Sequence, residues 1–393
     1  LRTYRTFDRL VLIIMPSPAS APQRDHRIDV LRGLALLMIF VDHIPANVLS
    51  LATMHNFGFC DAAEAFVLLA GMSSMLAYGR AFERSGAMVG LRRILRRWVR
   101  LYVFQLGLLM TTLVVVYLWT SYFGFEPRIV GPLLNDPWAG LLHSLTLRAV
   151  PAYLDILPLY LALFAVFPLI YASLRFNIWL TLALSGALWA AANLMPGLNL
   201  PNWVTGGQWF FNPFAWQFLF ALGAALTILL ARYDGELPRL RWLAWLCGLF
   251  LIFALIETVP WNDWHLPDLR PIALPGPDKT TLAPLRLIDI LALTYLLFSA
   301  DRVRTIAASP LLRPVDVCGR HSLEVFSVGC IAALFGRLIF RTYGPGPAAQ
   351  VAVNAIGIAA MWLVAFYLDR RQARRRHEAE QARQAQAQAA HEA

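Results

Sequence analysis

The chain has 393 residues, of which 58% are hydrophobic and 15% charged, with a net charge of +10. Soluble domains carry about a quarter charged residues, so this composition excludes an ordinary soluble enzyme and points to many membrane spans. The positive charge is almost all arginine in short clusters between apolar runs, which argues against a nucleic-acid partner and reads as topology signals and contacts with membrane lipid.

In chain order, residues 1–25 are Pro/Ser/Ala-rich towards their end and are expected to be disordered. Residues 26–369 read as a transmembrane domain, and 370–393 as a charged cytoplasmic tail. Apolar windows of about 20 residues, enough to cross a roughly 30 Å hydrocarbon core, predict spans near 28–47, 61–79, 99–120, 153–173, 177–195, 213–231, 242–259, 284–300, 322–340 and 347–368. The stretch 133–150 is too interrupted for a span and predicts a helix lying at the interface.

Arginine clusters at 80–100, 232–241, 301–320 and 369–378 fall on one side, whereas 48–60 and 196–213 contain no Lys or Arg. By the positive-inside rule both termini are then cytoplasmic, and about ten spans satisfy that parity. The expected fold is an all-α polytopic integral membrane protein. No internal repeat is visible, which argues against repeat-built transporter folds. The four cysteines show no metal-like spacing and read as small apolar fillers, and no metal is expected.

Ionisable side chains within spans are costly, so each is a candidate for function. Arg32 and His43 are eleven positions apart, which returns them to nearly the same helix face about 16 Å apart along the axis. One polar stripe is therefore expected to join the two sides of the membrane. Asp29 can pair with Arg32, and Asn47 lies within reach of His43. A capped, hydrogen-bonded histidine tying helix ends together is the plain alternative for His43.

The second span opens with Asp61 and Glu64 on one face at the level of His43, where either could orient the imidazole. N-terminal capping explains Asp61 well, and Glu64 is the stronger functional candidate. Asp155, Asn212 and Gln217 gather at the same end as candidate acceptor contacts, while Trp209 and Trp216 read as interface anchors. At the opposite end His321 and Glu324 open the ninth span behind Gly319 and Arg320, an arrangement suited to anions. Arg93 and Arg97, in the cluster 92–100, could face it, although topology signals and lipid headgroups are the simpler account of that cluster.

The strings "RDHRIDVLRGLALLMIFVDHIPAN", "HNFGFCDAAEAFVLLAGM", "YLDILPLY", "FNPFAWQFLFALG", "LRLIDILALTYL" and "GRHSLEVFSVG" together resemble the OpgC family, membrane proteins associated with succinylation of osmoregulated periplasmic glucans. Cys60 stands where that family's pattern has serine. The Arg32-to-His43 spacing also resembles the signature of the wider acyltransferase-3 group, whose histidine is regarded as catalytic.

The resemblance implies an O-acyltransferase that uses cytoplasmic acyl-CoA, succinyl-CoA or acetyl-CoA, as donor and a periplasmic glucan hydroxyl as acceptor, with other glucan-synthesis proteins as candidate partners. In that reading His43 is the base or nucleophile, with Glu64 or Asp61 steadying the imidazolium. Arg32, Arg320, His321, Arg93 and Arg97 hold the donor's phosphates. Asp29, Asn47, Asp155, Asn212, Gln217 and Glu324 contact substrate, and Asn47 or Asn212 could stabilise an oxyanion. A succinyl carboxylate calls for a cation near the mouth, with Arg148, Arg270 and Lys279 as candidates. The alternative is a transporter or flippase using His43, Glu64 and Asp155 as a proton or substrate pathway.

Overall fold

The computed structural model describes residues 25–126 and 129–392. The expectation of disorder for 1–25 lies almost entirely outside the described residues. Helices occupy each of the ten segments where spans were expected. They are α1 (His26–Asp42), α2 (Ala62–Ser85), α3 (Ala87–Phe123), α6 (Ile156–Phe176), α7 (Ile178–Leu194), α8 (Pro213–Arg232), α9 (Arg241–Thr258), α10 (Pro284–Phe298), α13 (Ser322–Tyr343) and α14 (Pro347–Glu392). Short helices α4 (Gly131–Asn135) and α5 (Pro137–Leu145) fill the interrupted stretch, with Trp138, Leu142 and Leu145 exposed, as an interfacial segment would have them. Helices α11 (Asp301–Ala307) and α12 (Arg313–Arg320) follow α10, and a two-stranded ribbon joins β1 (Pro201–Asn202) to β2 (Gly207–Gln208).

Among the described residues, seven helices are long and apolar enough to cross a membrane: α2, α3, α6, α8, α9, α13 and α14. The expected count of ten is reduced because α1 and α7 have 17 residues each and α10 only 15. The apolar run at 28–47 stops being helical at Asp42, where a turn begins; at 284–300, Pro284 starts α10 and Ser299 ends it. Trp245, Leu249 and Ile252 of α9 are exposed, the pattern of a surface that faces lipid rather than water. The tail beyond Arg370 continues α14 as a helix, exposed over residues 371–382.

Where the central helices meet, glycine lets backbone touch backbone. A Cβ on Gly71 of α2 would strike the Phe220 carbonyl of α8, and one on Gly223 of α8 would strike the Leu68 carbonyl of α2. Apolar burial gains little between helices in lipid, so such close packing by small residues carries much of the association. Helix α2 also changes pitch at Met75–Gly79, a π-helical turn of the kind that recurs near functional sites. It lies just beyond Ser73, whose hydroxyl accepts from Arg32.

Candidate active site

His43 ends α1 as its C-cap and lies on the wall of a cavity of about 720 Å³. Asp42, His55, Asp61, Tyr153, Asp155 and Lys279 supply its other ionisable groups, and Trp209, Phe210 and Phe211 form an aromatic wall. Ile39, Ala62 and Ala63 line the apolar part. The imidazole meets the Tyr153 ring edge-on, with centroids 5.2 Å apart. Arg337 of α13 fixes this pair from behind: its Nη1 donates to the His43 carbonyl at 2.9 Å, and its guanidinium lies 4.1 Å from the centre of the Tyr153 ring.

Asp61 and Glu64 do not hydrogen-bond to the His43 ring. Glu64 is fully buried and spent: Oε2 accepts from the Asp61 amide at 2.9 Å and Oε1 from Arg286 Nε at 2.6 Å. Asp61 caps α2 through the Ala63 amide at 2.8 Å, so the two acids form a capping box. The other Asp61 oxygen, Oδ2, accepts from Lys279 Nζ at 2.6 Å and Arg286 Nη2 at 2.9 Å. The capping role expected for Asp61 is present, and Asp61 also faces the cavity, whereas the favoured candidate Glu64 does not. The reason is visible in "DAAE", an acid followed three residues later by glutamate at a helix start, which is the capping-box pattern itself.

Burial alone would lower the Lys279 ammonium, but the Asp61 and Glu64 carboxylates override it and hold its pKa above the ordinary lysine value. Its loop is pinned by the fully buried Trp216, whose Nε1 donates to the Lys279 and Thr280 carbonyls at 3.1 Å each. Trp209 and Trp216 are thus interior residues rather than surface anchors.

Of the expected acceptor contacts, Asp155 lines the cavity beside Tyr153. Asn47, Asn212 and Gln217 do not line it, because their polar atoms are already paired inside the protein. Asn47 exchanges hydrogen bonds of 2.9 Å with Asn354. Asn212 caps α8 and donates to the Leu198 carbonyl at 2.7 Å, and Gln217 ties α8 to α7 through Ser185. His55, not singled out in the sequence, lines the cavity with Nδ1 3.3 Å from Asp42 Oδ1. Thr53 and Asn56 occupy the same ring's nitrogens at 2.8 and 3.0 Å. Arg337 was also missed, since an arginine near a helix C-terminus reads as ordinary dipole complementation.

At the other end of α1, Arg32 donates to the Leu69 carbonyl at 3.0 Å and to Ser73, and lies 4.0 Å from Asp29. Arg320 pairs with Asp316 and lies 3.6 Å from Asp369; His321 is 3.8 Å from the same carboxylate. Glu324 pairs with Arg100. Arg97 is half-buried and Arg93 exposed on α3. A second cavity of about 320 Å³ at this end is lined by Arg313, Asp369 and Arg370 among others. No group of His, Cys, Asp or Glu that could hold a metal is found among the described residues.

The continuous polar stripe expected along α1 is interrupted. The His43 cavity is not lined by Arg32. Between them lie Leu36, Phe66, Tyr160 and Phe326, all buried, with Phe66 at 5.2 Å from Tyr160 and 6.2 Å from Phe326 by ring centroids. Phe66 sits one turn below the cavity residues Ala62 and Ala63 and one turn above Leu69, so these rings form a layer between the two sites.

The site is thus a mostly apolar cavity at one end of a helix bundle, with a histidine held by ring and guanidinium contacts. No curated protein matches the sequence. Residues 24–373, nearly the whole described bundle, match the family described as OpgC protein, and the chain belongs to the OpgC family.

Proposed function

We propose that the protein is a membrane-embedded O-acyltransferase that moves a succinyl group from cytoplasmic acyl-CoA to hydroxyls of a periplasmic glucan. In this reading α1, α7 and α10 also cross the bacterial inner membrane, giving ten spans with both termini in the cytoplasm. The observation that carries the proposal is His43 on the wall of a cavity large enough for a sugar unit, with an aromatic wall and nearby carboxylates. Aromatic faces suit the apolar face of a pyranose, and Asp155 and Asp42 can accept from its hydroxyls.

The chemistry follows from that placement. His43 takes the proton of an acceptor hydroxyl as its oxygen attacks the thioester carbonyl. The carbon–sulfur bond breaks, an ester forms, and the imidazolium returns the proton to the departing thiolate. An acyl group passed first to His43 and then to the sugar gives the same balance. Tyr153 and Arg337 position the imidazole. Asp61 and Glu64 act at one remove, by fixing the start of α2 and the loop that carries Lys279. The arginines at the opposite end, Arg32, Arg320, Arg93 and Arg97 with His321, supply charge for the donor's phosphates. The pantetheine arm, comparable in length to the Arg32–His43 separation, reaches His43 once the Phe66 layer parts.

The test is transfer of radiolabelled succinyl from succinyl-CoA to glucan by purified protein. His43→Ala is expected to lower transfer by about a hundred- to ten-thousandfold. A variant as active as wild type would overturn the catalytic role, and glucan transport without CoA consumption would favour the transporter reading.

A further inference from the structure

Lys279 is the one lysine or arginine side chain lining the His43 cavity among the described residues. Arg148 is exposed outside it, and Arg270 is bound to Asp268 on an exposed loop. The remaining charged walls are the acids Asp42, Asp61 and Asp155. An anionic group entering this space meets a cation on the wall itself only at Lys279, because Arg337 lies behind the Tyr153 ring and the His43 carbonyl.

The ammonium is built into place. Trp216 holds its backbone, the Asp278 carboxylate caps the amides of Thr280 and Thr281 at 3.2 and 2.8 Å, and Phe211 lies 5.6 Å from Nζ. One hydrogen bond goes to Asp61. An ammonium has three N–H donors, so donor capacity remains for a ligand. Arg286 holds the same Asp61 oxygen, so Asp61 stays paired when Lys279 turns a proton towards the cavity. Ile39, Ala62 and Ala63 give the cavity an apolar wall that suits a short methylene chain.

Resting on the acyl-transfer reading, we propose that Lys279 binds a carboxylate at the far end of the acyl chain and so selects donors with a terminal carboxylate. Succinyl-CoA then exceeds butyryl-CoA, which keeps the chain and lacks the carboxylate, because only the former can take up the remaining donors of the half-buried cation.

The experiment uses full-length protein in proteoliposomes with glucan as acceptor, and compares kcat/KM for succinyl-CoA and butyryl-CoA. Wild type is expected to favour succinyl-CoA at least tenfold. Lys279→Gln should lower that ratio at least tenfold, and Lys279→Arg should largely retain it. The double variant Lys279→Gln with Asp61→Asn should lower it as the single one does, because the effect comes from the lost cation and not from a stranded carboxylate. Wild type with no preference, or a Lys279→Gln variant with an unchanged ratio, overturns the inference alone, since succinyl transfer itself would still be present. Wild type that transfers neither acyl group overturns the acyl-transfer reading and this inference with it.

Discussion

His43 lies edge-on to Tyr153 at 5.2 Å, and Tyr153 holds that position with a backbone φ of 70°. A bulky residue rarely adopts positive φ, and such strain persists only where surrounding contacts impose it. Here the Arg337 guanidinium over the ring is one such contact. The ring rather than the hydroxyl makes this contact, so Tyr153→Phe should keep kcat within about threefold of wild type. Tyr153→Ala should lower kcat at least tenfold, an effect of about 1.4 kcal/mol or more on the barrier. Steady-state transfer assays on the two variants check the contrast; equal losses would assign the role to the hydroxyl.

The pair Glu64–Arg286 predicts stability rather than chemistry. Replacing Arg286 by Met strands the buried Glu64 carboxylate and leaves Asp61 with Lys279 as its only cation, and the expected loss is about 3–5 kcal/mol. Glu64→Gln keeps the side chain's shape and should cost less. Thermal unfolding in detergent should rank the variants in that order, and the double variant should be more stable than Arg286→Met alone.

The aromatic layer predicts a leak. Tyr160 donates to the Phe66 carbonyl at 3.0 Å beneath the cavity, and Phe66 fills the space beside it. Phe66→Ala should open a path for water and protons, seen as faster collapse of a pH gradient across proteoliposomes. Tyr160→Phe removes only the hydroxyl and should leak far less. A Phe66→Ala vesicle as tight as wild type would show that the layer does not seal the membrane.

The charge on Lys279 sets a pH expectation. Its carboxylate neighbours hold its pKa above the ordinary value of 10.5, so it stays cationic at every lower pH and loses charge only beyond it. The succinyl-to-butyryl preference should therefore be flat from about pH 6 to about pH 9. Measuring kcat/KM for both donors across that range checks it. A preference that falls near neutrality would point to a histidine as the selecting group.

Helix positions were legible because runs of about 20 apolar residues leave few alternatives. Their ends were less so, since α1 stops at Asp42 within an apolar stretch that runs on to residue 47. His43, Asp61 and Asp155 could be read as polar residues at the ends of apolar segments, and all three line one cavity. Asn47, Asn212 and Gln217 show the same pattern, yet their partners Asn354, Leu198 and Ser185 consume them, which no local pattern reveals. Choosing Lys279 over Arg148 and Arg270 likewise needed the pairing of residues more than two hundred positions apart.

The mutual embedding of Gly71 and Gly223 makes any opening of the bundle directional. On that flank α2 rests backbone to backbone on α8, with no side chain that can rotate aside. Its other flank presents Phe66 to Tyr160 and Phe326, whose rings can swing without parting the main chains. In the proposed acyl transfer, a flexible thioester arm would therefore pass between α2, α6 and α13 rather than between α2 and α8.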